Sequence, residues 1–107
     1  MTTAKLNVFQ RDMRKMFKAE LAAGGGELFS FPHERVTVLV CPSAGEDSNF
    51  CQVAVAYCDE ADTFRRKVGE LMVLERYFDE AQTIPVPFMG RDNQMIADSV
   101  VAMLMWE

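Results

Sequence analysis

The chain of 107 residues has one histidine, His33, and three cysteines, Cys41, Cys51 and Cys58. These are its first candidates for chemistry. A histidine base needs a nucleophile within hydrogen-bond reach and a third group to orient the ring. Cys41 and Ser43 are the residues that could approach His33, but neither lies in a Gly-x-Ser-x-Gly elbow. His33, between Pro32 and Glu34, reads as a solvated loop residue at a strand start. Structural zinc sites draw paired ligands from Cys-x(2–4)-Cys knuckles. Here nine and six residues separate the cysteines, and Cys51 and Cys58 would point to opposite faces of one strand. An odd cysteine count among apolar neighbours fits buried free thiols in a reducing compartment. Gly24-Gly25-Gly26 follows a helix and lacks the lysine of a phosphate loop. Glu46-Asp47-Ser48-Asn49 lacks the spacing and final glutamate of a calcium loop. We therefore assign no catalytic residue, cofactor or metal site and expect the chain not to be an enzyme.

The remaining chemistry is charge and apolar surface. Net charge is −5 and is segregated. Residues 1–26 sum to +3, from Lys5, Arg11, Arg14, Lys15 and Lys18 against Asp12 and Glu20. Residues 27–62 sum to −6, with Arg35 alone against seven carboxylates. Arg11, Arg14, Lys15 and Lys18 lie near one side of a helix and are candidates for phosphate contact. The lack of interleaved aromatics speaks against base stacking, because Phe9 and Phe17 fit the apolar stripe. Arg65-Arg66-Lys67 is a second basic cluster, read as a solvated helix face. Glu46, Asp47, Asp59, Glu60 and Asp62 form a candidate acidic surface for a basic partner.

These groups must be positioned by a small set of elements. Residues 4–23 read as a helix with Leu6, Phe9, Met13, Met16, Phe17 and Leu21 as its stripe, stopped by the glycine triplet. That triplet is a helix stop that could also act as a hinge. Residues 28–31 form a short strand ending at Pro32. Residues 36–41 and 50–57 alternate as two strands of an antiparallel hairpin. Ala54 and Ala56 leave one face of the second strand small enough to lie under a helix. Asp59 is the expected cap of a middle helix beginning near Glu60, with Phe64, Val68, Leu71, Met72 and Phe78 as its stripe. Gly69, costly inside a helix by about 1 kcal/mol, implies a close approach to the small strand face. Pro85 and Pro87 restrict residues 83–89 to an edge strand or a connector. A last helix runs from Gln94 to Met105, capped by Asp92 or Asn93. The expected fold is one α+β domain spanning 1–107, a hairpin-centred three-stranded antiparallel sheet with N-terminal, middle and C-terminal helices.

Val100 to Trp106 are seven consecutive hydrophobic residues, covering every side of a helix. One side should pack the core while Val101, Met105 and Trp106 meet a partner or a second copy. No apolar run approaches the roughly 18 residues that span a membrane. Met1 to Leu6 lack a signal core, so the expected location is the cytoplasm and no membrane partner is expected.

The segment Ala56-Tyr57-Cys58-Asp59-Glu60-Ala61-Asp62-Thr63-Phe64-Arg65-Arg66-Lys67-Val68-Gly69, continuing to Glu75-Arg76, resembles small accessory proteins of tailed bacteriophages. In these a strand ends in cysteine and a helix with an Asp-x-Phe-x-x-Lys-x-Gly pattern follows. The resemblance implies a phage origin, host cytoplasm as location, and binding to a host nucleic-acid-processing or defence complex. The expected function is that of a non-catalytic protein-binding accessory or inhibitor. A nucleic-acid-binding module built on the first helix and a structural homodimer or larger homo-oligomer are the alternatives, with nucleic acid ranked below protein as partner.

Overall fold

The computed structural model describes residues 6–42, 49–59 and 63–106. Helix α1 spans Val8–Ala23. Its start is fixed by a capping box: Asn7 Oδ1 accepts from Gln10 N at 2.8 Å, and Gln10 Oε1 accepts from Asn7 N at 3.0 Å. Its end is a Schellman turn, with Gly26 N donating to Leu21 O at 2.9 Å and Gly25 N to Ala22 O at 3.0 Å. Gly25 has φ +81, a conformation glycine adopts freely. The triplet is thus a tied helix stop. It does not release α1, which packs Phe17 and Leu21 into the core. Phe9, expected in the stripe, is 71 % exposed, and Met16 is also exposed. Arg14 takes a buried position on that face instead.

Four strands follow the expected ranges closely: β1 Glu27–Phe31, β2 Val36–Pro42, β3 Phe50–Tyr57 and β4 Ile84–Pro87. They form one antiparallel sheet in the order β1-β2-β3-β4. The expected three-stranded sheet has a fourth strand because residues 84–87 pair with Val53 to Phe50. Pro85 and Pro87 are tolerated there because β4 is the outer strand. Beyond Val53, where β4 no longer runs alongside, the Arg76 guanidinium donates to the Val55 carbonyl.

Helix α2 is Arg66–Phe78 and α3 is Asn93–Leu104. Both faces of the sheet are covered, because alternation in β2 sends apolar residues each way. Leu39, Cys41, Ala54 and Ala56 pack under α1 and α2 with Leu71, Val73 and Leu74. Val36, Val38, Val40, Cys51 and Val53 pack against Ile96, Ala97, Val100 and Val101 of α3. The result is α+β, in three layers.

α2 begins six residues later than expected. Its N-cap is Arg65, which makes no side-chain capping bond, so Asp59 does not start the helix. Phe64 precedes the helix, and the buried stripe is rotated onto Leu71, Val73 and Leu74, leaving Met72 exposed. Gly69 does mark a close helix–sheet contact, but against β2. A Cβ there would overlap Thr37 Oγ1 and lie 3.3 Å from Thr37 Cβ. α3 starts at its Asp92 cap, whose side chain accepts from Met95 N at 2.8 Å.

Candidate functional site

The apolar run at the end of α3 divides as its helical phase requires. Val100 and Val101 turn inward, and Ala102 to Trp106 are exposed. Val101, expected at an interface, is 6 % exposed and belongs to the core, because it follows Val100 and Ala97 onto the sheet-facing side. Met105 is exposed as the run suggested, and Trp106 is 84 % exposed. Met103, which helical periodicity places on the apolar stripe with Met95, Ile96, Val100 and Leu104, is instead 77 % exposed, because the inward face is rotated onto Val101. Trp106, Met103 and Ala102 border a shallow apolar depression.

This patch has a neighbour. α3 lies mainly over β1 and β2 and reaches Cys51 and Val53 of β3, while Tyr57 and Ile84 farther along the β3–β4 side remain exposed. A cleft of about 370 Å³ remains there, lined by Val53, Val55, Tyr57, Ile84 and Leu104 among others. Ile84 is 60 % exposed, and Tyr57 and Leu104 are exposed too. Exposed large apolar side chains therefore run from the end of α3 to the β4 edge. Such groupings are unusual on a monomer's surface unless something binds there.

The basic residues give a second arrangement. Arg11, Arg14 and Lys15 of α1 and Arg65, Arg66 and Lys67 at the start of α2 line one cleft of about 680 Å³, with Leu6, Phe64 and Val68. Two clusters that looked like separate solvated faces thus come together. Arg14 is the exception to solvation. It is buried, and its Nε donates to Glu70 Oε1 at 2.9 Å. Lys18 Nζ lies 3.8 Å from the same oxygen, which draws Lys18 toward Glu70 and away from the cleft lining. Among the described residues the carboxylate partner of both is Glu70, on α2.

Of the candidate acidic surface, Asp59 is exposed at the end of β3. Glu46, Asp47, Glu60 and Asp62 lie outside the described residues. Arg35 of the β1–β2 turn ties itself to this region, with Nη2 donating to Asp59 O at 2.7 Å and to Cys58 Sγ at 3.4 Å.

His33 is exposed in the turn between β1 and β2. The three cysteines are free thiols. Cys41 is buried beneath α1, Cys51 is buried beneath α3, and Cys58 is half-exposed beside Arg35. Burial pushes the Cys51 thiol pKa up, so it is a poor nucleophile. Tyr77 is pushed up to about 12, chiefly by burial and then by its hydrogen bond and proximity to Cys41. Burial, followed by Asp79 and Glu80, raises Glu75. Among the described residues no three histidine, cysteine or carboxylate side chains converge where a metal could bind. None of their helices is long and apolar enough to cross a membrane.

Comparison with family models, curated proteins and solved structures finds no match. Function must therefore be argued from these surfaces. Sequence reasoning missed Met103 and the β3–β4 cleft, because both depend on where α3 stops covering the sheet. It missed the joint basic cleft because the contributing residues are about fifty positions apart. The exposed Phe9 was also missed, since helical periodicity alone placed it on the stripe.

Proposed function

We propose that this chain is a non-catalytic protein-binding domain, an accessory or inhibitor, that docks a partner through the end of α3 and the adjoining β3–β4 surface. The observation that carries the reading is the exposure of Trp106 and Met103 near an apolar cleft bordered by the exposed Tyr57, Ile84 and Leu104. Tryptophan and methionine are enriched at protein interfaces, where a large contact area is gained with adaptable packing. Within this reading, the likeness of residues 56–76 to tailed-phage accessory proteins suggests a host nucleic-acid-processing or defence complex as the partner.

The test is paired affinity capture from bacterial lysate, with the native chain and with a Met103→Glu/Trp106→Ala variant. Both side chains are exposed, so the variant should keep its fold by circular dichroism. A defined partner recovered by the native chain and lost by the variant supports the proposal. Identical recoveries by the two proteins sink it. Light scattering across a concentration range separates the homo-oligomer reading: a mass doubling abolished by the same variant would make the partner a second copy, related by a two-fold axis.

A further inference from the structure

We propose that the cleft between α1 and the first turn of α2 binds the phosphate backbone of single-stranded nucleic acid. This surface is distinct from the apolar one and stands independently of the protein-binding reading.

The cleft is lined by six basic residues and by no carboxylate among the described residues. Two of the six are otherwise engaged. Arg14 is neutralised by Glu70, and Arg65 has an interaction of its own. The remaining four, Arg11, Lys15, Arg66 and Lys67, are all exposed, and none has a carboxylate partner among the described residues. Among the described residues, four cations without a carboxylate partner thus gather around one concavity, in a chain whose net charge is −5. Like charges brought together repel one another, and an anionic ligand relieves that repulsion.

The geometry favours phosphates. Arg11 and Lys15 are one helical turn apart on α1, about 6 Å along its axis. Arg66 and Lys67 face them from the beginning of α2. That helix has no side-chain cap from Arg65, so its positive dipole end and first-turn N–H groups add to the attraction for an anion. Asp12 and Glu20 fall on the other flank of α1, with the exposed Phe9 and Met16, by helical phase.

The cleft's apolar lining favours nucleic acid over an acidic protein. Phe64, half-buried, lines the cleft together with Leu6, Val68 and the cations. An aromatic side chain beside a basic track is the arrangement on which unpaired bases stack. A concavity of about 680 Å³ has the size of a small-ligand cleft. That is room enough for a single unpaired base, the feature a duplex does not offer.

The experiment is fluorescence anisotropy with a labelled oligothymidylate and the matching oligouridylate. A duplex of the same length and unlabelled heparin serve as controls. Four phosphate contacts predict a slope of about −3 for log affinity against log salt, or about 50-fold weaker binding at 200 mM than at 50 mM. Arg11→Ala/Lys15→Ala and, separately, Arg66→Ala/Lys67→Ala should each halve that slope to about −1.4. Phe64→Ala should weaken single-strand binding roughly 5- to 150-fold without changing the slope. If Phe64→Ala unfolds the chain, the two double variants at exposed positions still decide the matter. No binding of either oligonucleotide at low salt, unchanged slopes in both double variants, tighter binding of the duplex, or equal competition by heparin and single strand per unit charge would each overturn the proposal. Met103→Glu/Trp106→Ala should bind the oligonucleotides as the native chain does, so failure of the apolar-face reading is separately visible.

Discussion

Gly69→Ala offers a direct measure of how closely α2 approaches the sheet. Alanine is favoured over glycine within a helix by about 1 kcal/mol, so in the absence of a neighbour the substitution would stabilise the protein. The neighbour reverses the sign. The new Cβ would overlap Thr37 Oγ1 and stand 3.3 Å from Thr37 Cβ. Thr37 cannot retreat, since β2 is paired on both sides and its β-branched side chain is stiff at χ1. Overpacking of this kind costs about 1–3 kcal/mol. With the overlap at the upper end of that range, the net loss is about 2 kcal/mol. An unfolding entropy near 2.1 cal/mol/K per residue converts this into a melting temperature lower by about 9 °C for a chain of this length. Thr37→Ala should rescue most of it, because it removes the overlapping oxygen, which is buried without a hydrogen-bond partner among the described residues. The double variant should therefore show a favourable coupling of about 1–2 kcal/mol. Thermal denaturation of the four proteins in the cycle decides the point. A higher melting temperature for Gly69→Ala, or the same penalty with and without Thr37, would refute the close-contact explanation for this glycine.

Glu70→Ala should destabilise by about 3–5 kcal/mol in urea denaturation, because it leaves Arg14 buried without its counter-charge; Arg14→Met/Glu70→Leu should recover most of the loss. Glu75 has a folded pKa raised above its ordinary value, so its unfavourable contribution is absent below the unfolded pKa and grows as pH rises through the folded one. Glu75→Gln should accordingly stabilise the chain at pH about 7 and make no difference at pH about 3, where both states are protonated. Val101→Ala should cost about 1–3 kcal/mol as a core truncation, whereas Met105→Ala should change stability by no more than about 0.5 kcal/mol; equal effects in chemical denaturation would contradict the inward and outward division of α3.

The strands were legible because their signals are local. Alternation in Val36 to Cys41 and Phe50 to Tyr57 set both the pairing and the two buried faces. The prolines correctly confined residues 84–87 to an outer position. Helix phase was less secure. Taking Phe64 as a helical residue shifted the expected stripe of α2 away from Val73 and Leu74. In α1, periodicity could not anticipate that Arg14 would be buried against Glu70, fifty-six positions away, while Phe9 remained outside. In α3, periodicity puts Met103 on the apolar stripe with Ile96 and Val100 and leaves Val101 outside it; the docked helix reverses the two, because a run apolar on all sides fixes its phase only weakly. The surfaces were thus visible as composition, but their grouping required long-range contacts.

The placement of α3 has a consequence for synthesis. It follows all four described strands, and among the described helices it is the one packed on the valine face formed by Val36, Val38, Val40 and Val53. β3 ends at Tyr57 and the first core residue of α3 is Ile96. At roughly 5–20 residues per second, the ribosome needs about 2–8 s to cross that interval. During it, a nascent sheet already able to pair β1, β2 and β3 presents a β-branched apolar surface to other chains. Slowing translation between residues 58 and 96 would therefore increase aggregation without altering the finished protein, and a holdase chaperone would reduce it.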